Sequence, residues 1–245
     1  MESGYAIAEK LPDLPRWVEV RANLRRGECE IFGLEQEPTS LVIREPDTGT
    51  AFVIGQPSPK AIQEAIQRNG CEVIAPFEQA GWLAALLPNW TPSCITLHVL
   101  KDFRRLPVAP AGQVDFLDPA ELDQFPIPAD LLEELRSGAQ HSRIAATFLN
   151  KQPVSFCYAG AVTESLWDVA IDTLPEYQRQ GYAALCAAHL IRCLHQEGKQ
   201  PVWASLEENP ASWQLARKLG FEPVDALVLF EPNRASNGVH YFLNT

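Results

Sequence analysis

No two of the six cysteines (29, 71, 94, 157, 186 and 193) form a CxxC pair, and their spacings are irregular. A disulfide framework would be denser and the chain shorter, so the thiols are expected to be reduced. No apolar run approaches the roughly 20 residues that span a bilayer. Met1 to Val20 is interrupted by Glu2, Glu9 and Lys10, so it lacks a signal-peptide core. A cytoplasmic protein with no membrane association is expected. Basic charge is scarce: 20 Lys and Arg stand against 31 Asp and Glu, a formal charge of −11. The two basic groups, Arg21, Arg25, Arg26 and Lys101, Arg104, Arg105, read as solvated loop charge. That argues against nucleic acid as a partner, whereas an acidic surface concentrates cationic small molecules such as amines. The signature of disorder is missing too, because 46% of residues are hydrophobic and only 21% charged. Residues 1–110 hold no phosphate loop, no GxGxxG and no metal-ligand spacing.

What is there suggests two parts. At roughly 100–200 residues per domain, 245 residues make one large domain or two small ones. Pro107, Pro110, Pro119, Pro126 and Pro128 crowd one stretch, and Ala109-Pro110-Ala111-Gly112 looks like a linker, so a boundary is expected near residue 110. Residues 1–110 read as a small α/β domain. Short apolar runs at 29–32, 40–43, 51–54, 72–74 and 94–100 are strand candidates. Helical spacing predicts a helix over 58–68, stopped by Asn69-Gly70, and another over 79–87. From 111 to 245 the expected order is β-α-β-β-β-α-β-α-β, which implies a mixed sheet with helices on its faces. Asp118 caps a helix start at Pro119, Gly138 is expected to stop the helix that follows, and Val239–Leu243 is a last strand candidate.

The stretch from Trp167 to Leu194 carries the chemistry. Trp167, Val169, Ile171 and Thr173 alternate with Asp168, Ala170 and Asp172, giving an apolar and a polar strand face. Leu174-Pro175 breaks the strand. Gln178-Arg179-Gln180-Gly181-Tyr182-Ala183 then opens an apolar helix. The first N–H groups of a helix lack partners, and with the dipole they make an anion site. Gly181 removes a Cβ, Ala183 keeps a small one and Arg179 adds a mobile charge, an arrangement suited to a diphosphate.

This pattern, Gln/Arg-x-x-Gly-x-Gly/Ala between a strand and a helix, resembles the pyrophosphate motif of the GNAT acetyltransferases, with Gln178, Gly181 and Ala183 at its defined positions. Asn209-Pro210-Ala211-Ser212 leading to Leu219-Gly220-Phe221 resembles that family's second motif. The resemblance covers roughly residues 113–231. It implies a GNAT-like, mostly antiparallel mixed sheet and acetyl-CoA as cofactor. It further implies that Ile171, Asp172 and Thr173 pair with the pantetheine arm, that Gln178, Arg179, Gln180, Gly181, Tyr182 and Ala183 hold the diphosphate, and that Asn209 and Ser212 flank the arm. A β-bulge in the motif strand would splay it from the strand ending near Ser205.

The implied reaction is direct attack of a neutral amine on the thioester. An amine of pKa near ~10 needs a base. Asp168 is the first candidate, then Glu164 at the preceding turn, then Glu207. Many family members carry a general-acid Tyr in the second helix, but the matching residue here is Ala216. Tyr158, Tyr177, Tyr182 or water would have to replace it. Cys186, His189 and Cys193 share a helix face but lack a fourth ligand at zinc spacing, so no metal site is expected. The expected activity is N-acetylation of a small amine or amino-acid-like acceptor by a monomer or homodimer. A regulatory module that binds acyl-CoA without turnover is the alternative, and a protein acceptor is a third reading. Residues 1–110 would shape the acceptor side or be a decayed duplicate of the same fold.

Overall fold

The computed structural model describes residues 4–34, 40–67 and 71–233. The stop at Asn69-Gly70 and the strand candidate Val239–Leu243 lie outside them. The chain forms two compact units that interleave along the sequence. One comprises the described residues up to Leu97, Ser205–Glu208 and those from Asp225 on; the other comprises His98–Ala204 and Asn209–Val224.

In chain order the elements are α1 (Gly4–Ala8), α2 (Val18–Arg26), β1 (Glu30–Phe32), β2 (Leu41–Arg44), β3 (Ala51–Ile54), α3 (Pro59–Ile66), β4 (Val73–Pro76), α4 (Ala80–Leu86) and β5 (Trp90–Leu100). There follow β6 (Val114–Leu117), α5 (Ala129–Ala139), β7 (Ile144–Leu149), β8 (Gln152–Val162), β9 (Leu166–Thr173), α6 (Tyr182–Gln196), β10 (Gln200–Leu206), α7 (Pro210–Leu219) and β11 (Phe221–Pro232). Among the described residues, no helix is long and apolar enough to cross a membrane.

In the first unit, β1, β2 and β3 pair antiparallel, β3 and β4 pair parallel, and β11 runs antiparallel to β4. The parallel step needs a crossover, and α3 supplies it, capped by the Ser58 hydroxyl on Ala61 N–H at 3.2 Å. Alternation along the strands sends Val42, Val53, Ala75 and Val228 to one core with Ala61, Ile62 and Leu83. It sends Leu41, Ile43, Phe52 and Ile54 to another with Ile7, Val20 and Leu24. The helices α1 and α2 escape the sequence reading, which treats Arg21, Arg25 and Arg26 as solvated loop charge. Arg21 is instead buried on α2, and its guanidinium donates to the carbonyls of Ala8 and Leu11. Those bonds offset the cost of taking a cation from water.

In the second unit, β6 to β9 form an antiparallel ladder, and β9 pairs parallel with β10 across α6. The turn between β7 and β8 places Asn150 and Lys151 at φ 51° and 68°, the left-handed pair that a tight hairpin requires. One sheet face packs Trp167, Val169 and Ile171 of β9 against Ala184, Ala187, Leu190 and Ile191 of α6. The other packs Phe156 and Tyr158 of β8 against Leu135 of α5, with Leu122 and Leu117 beside them. The result is the expected mixed, largely antiparallel α/β architecture with helices on both faces. Gly138 does not stop its helix: α5 runs through to Ala139. A Cβ at Gly138 would collide with the Tyr158 ring, so glycine here permits close packing of helix on sheet.

Candidate functional site

The site is built around β9. Its pairing with β10 covers only Gln200↔Leu166, Pro201↔Trp167 and Val202↔Asp168. Beyond Asp168 the ladder ends, although β9 continues to Thr173 and β10 continues past Val202. Within the second unit, the edge of β9 from Val169 to Thr173 is therefore unpaired toward Trp203 and Ala204. Unpaired strand edges present N–H and C=O groups that seek a partner. The expected bulge in β9 falls elsewhere. The register shift lies between Ala159 and Val162 of β8, so Gly160 and Ala161 together oppose Asp168.

At the end of β9 the chain makes a 3-10 turn, Pro175–Tyr177, and then enters α6 through Gly181. Gly181 has φ 90°, a left-handed conformation costly for a residue with a Cβ, and Arg179 has φ 58°. A Cβ built on Gly181 meets nothing within 4 Å, so the space before the helix is open. The first turn of α6 has no acidic residue and no side-chain cap, leaving its N–H groups for an anion. Gln178 folds onto the carbonyl of Thr173 at 3.3 Å and Gln180 onto that of Glu176 at 3.1 Å. Both side chains thus tie the turn to itself. The arrangement fits a diphosphate: an open, acid-free helix start with a cation, Arg179, in the entering turn.

The second motif is partly structural. The Asn209 carboxamide accepts from Ser212 N–H at 3.1 Å, and Pro210 occupies the first position of α7. Ser212 is buried, and its hydroxyl accepts from Trp203 Nε1 at 2.9 Å. Ala216 lies fully buried in the same core as Trp203, Ala187 and Leu219. The helix position that the resemblance gives to a tyrosine is here a packing position.

Two carboxylates share the polar face of β9. Asp168 and Asp172, four residues apart, are about 13 Å apart along the strand with only Ala170 between them. Ala170 pairs with Tyr158, and Asp172 pairs with Phe156. Burial pushes the Asp168 carboxyl up to about 7, against a donation from Val169 N–H. Burial also pushes Asp172 up to about 7, assisted by the negative charges of Glu134 and Asp130 on α5. Glu134 is itself raised, by burial and then by Asp130, with a hydrogen bond to Tyr158 opposing. The Tyr158 hydroxyl is raised by burial first, then by Asp172 and Glu134. Spacing alone places Asp168 and Asp172 on one face; the contribution of α5 and Tyr158 requires the cross-strand register, which sequence does not give.

Other candidates sit apart. Glu164 is exposed in the turn before β9, at the opposite end of that strand from Gln178. Glu207 is exposed beyond β10, its N–H donating to the carbonyl of Cys94 at 3.0 Å. Tyr177 and Tyr182 meet edge-on at 6.4 Å between ring centres. Cys186 is buried and its thiol is raised by that burial to about 11, while His189 packs its ring edge against Phe116 at 5.0 Å. Among the described residues, no three His, Cys, Asp or Glu side chains are grouped to hold a metal ion.

Comparison with known proteins agrees with this geometry. Residues 137–230 match the family model described as GNAT acetyltransferase. No curated protein matches the sequence. A GCN5-related N-acetyltransferase-like protein from Streptococcus suis 89/1591 superposes with a TM-score of 0.66 at 18% identity, covering 92% of this chain and 95% of its own. A GCN5-related N-acetyltransferase from Kribbella flavida gives 0.60 at 15% identity, covering 88% and 93%. A tandem GNAT protein from the clavulanic acid biosynthesis pathway gives 0.53 at 13%, covering 81% and 79%. At such identities the structures share the fold alone, and with the family match they support an acyltransferase. The match to the GNAT acetyltransferase model is confined to residues 137–230, and the N-terminal half has no recognised family.

Proposed function

We propose that the chain is an acetyl-CoA-dependent N-acetyltransferase acting on a small amine or amino-acid-like acceptor. The observation that carries this reading is the coincidence of an unpaired edge of β9, beginning at Val169, with an acid-free helix start entered through Gly181. When bound, acetyl-CoA supplies an activated acetyl thioester. The first turn of α6 and Arg179 would hold its diphosphate, and the backbone of Ile171, Asp172 and Thr173 would pair with its amide-rich arm.

Asp168, at the point where the ladder ends, is the base that takes the proton from an acceptor ammonium. Once Asp172 ionises, above about pH 7, it joins Glu134 and Asp130 in favouring a cation over an anion on that face of the strand. A backbone N–H on the unpaired edge of β9 is offered to the carbonyl oxygen under attack. Because Ala216 carries no hydroxyl, water supplies the proton to the departing thiolate.

One structural neighbour is described as a tandem GNAT protein. Residues 1–110 are read accordingly as a degenerate GNAT-like half, lacking any Gln-x-x-Gly-x-Ala motif of its own. The six cysteines are free, which suits a reducing, cytoplasmic setting. The test is release of coenzyme A thiol from acetyl-CoA across a panel of monoamines, diamines, amino acids and peptides. Turnover confined to small amines supports the reading, and turnover of peptides alone redirects it to a protein acceptor. Tight acetyl-CoA binding with no turnover on any acceptor favours the regulatory alternative, which Ala216 keeps in view.

A further inference from the structure

Thr147, Ser155 and Thr173 stand directly opposite one another on β7, β8 and β9. They form a row of three hydroxyls across the strands at the end of the sheet where α6 begins. Thr147 and Ser155 are both fully buried. Neighbouring positions on this face, Ala145, Cys157 and Ile171, belong to the apolar core under α6. Three hydroxyls in such surroundings cost free energy unless each finds a partner.

Their partners are informative. The Ser155 hydroxyl donates to the carbonyl of Asp172 at 3.0 Å and lies 2.8 Å from the Thr173 hydroxyl. It also lies 3.5 Å from the Cys186 thiol, one turn into α6, and that thiol donates to the carbonyl of Ala183 at 3.4 Å. One strand over, the Thr147 hydroxyl donates to the carbonyl of Tyr182, the first residue of α6, at 2.9 Å. The carbonyl of Thr173 receives Gln178. The last residues of β9, the turn and the first turn of α6 therefore meet on side chains from two strands that carry no part of the motif. An apolar trio would pack here without fixing where the helix starts; hydroxyls fix it, because their bonds are directional.

We infer that Ser155 and Thr147 are positioning residues for the diphosphate cradle. They hold the first turn of α6 in register with the unpaired edge of β9, so that both can engage one cofactor molecule. This rests on the reading of the turn as a coenzyme A site. A purely structural role would change stability and leave affinity for coenzyme A untouched.

The experiment measures coenzyme A binding by calorimetry and thermal midpoint side by side for the full-length protein and for S155A, T147V and T163V. Thr163 is also buried, but its hydroxyl closes the turn before β9, at the other end of the strand. The expected result is a dissociation constant raised on the order of tenfold in S155A and T147V, the loss of about one hydrogen bond's worth of alignment. T163V should lower the midpoint and leave the dissociation constant unchanged. If S155A does not fold, T147V decides. Wild-type affinity in a folded S155A or T147V would overturn the inference, as would an equal loss of affinity in T163V. Absence of binding by the unaltered protein would instead overturn the coenzyme A reading itself.

Discussion

Asp168 and Asp172 are chemically similar, and the proposed mechanism gives them different work. Asp168 sits where the β9–β10 ladder stops, with a carboxyl raised by burial to about 7. A base acts only when ionised, so turnover should rise with pH through about 7 and level off above it. D168N should lose roughly 10²–10⁴-fold of the alkaline rate and with it the rise near 7. Full turnover of D168N across the alkaline range, measured by thiol release, would remove Asp168 from the mechanism. Asp172 tests the electrostatics separately. Its folded carboxyl binds a proton more tightly than the unfolded one, so its contribution to stability is fully present below the unfolded value of 3.8 and is lost as pH rises through about 7. D172N should therefore be more stable than the parent at pH 8, by up to about 4 kcal/mol and seen as a higher thermal midpoint, with the gain vanishing near pH 4. A midpoint unchanged at both pH values would mean that Asp172 is well solvated.

Elements were legible where the apolar periodicity is regular. The three consecutive strands expected before the long helix are present as β7, β8 and β9, and the helix expected over 58–68 is present as α3, which the Ser58 hydroxyl caps. Two local rules misled. Gly138 looks like a helix stop, and it proves to be the point of closest approach between α5 and Tyr158. The charged stretch around Arg21 looks like loop, although bonds to the carbonyls of Ala8 and Leu11 hold that guanidinium inside a helical layer. In both cases a long-range contact decides, and no local pattern encodes it. G138A should accordingly destabilise the second unit by about 1–3 kcal/mol, despite alanine's better helix propensity. An alanine variant as stable in denaturant as the parent would mean that Tyr158 moves aside freely. The backbone of the candidate cradle was legible because it is local: strand, turn, glycine and helix follow one another from Trp167 to Gln196. The hydroxyl row was not, since Thr147, Ser155 and Thr173 come together only through the register of three strands.

At the scale of the molecule, the two units differ in what their sequences disclose. Most of residues 137–230, the stretch matched by a family model, lies in the second, which also carries both of the motifs singled out in the sequence. The first carries alternation and caps enough to reveal most of its elements, but no motif, so its architecture was readable and its role was not. The net charge of −11 fits a protein whose candidate acceptor face is lined with carboxylates, and the proposed anion site rests on backbone dipoles and Arg179. The account therefore stands on that site. Calorimetric titration with acetyl-CoA, for the unaltered protein and for G181E, tests it most directly. Space around Gly181 is open and its φ is 90°, so the variant should fold with a penalty of about 1–2 kcal/mol. The account predicts binding in the micromolar range that G181E abolishes, because a carboxylate would stand where the diphosphate belongs. No heat of binding in the unaltered protein, or equal binding in the variant, would contradict it.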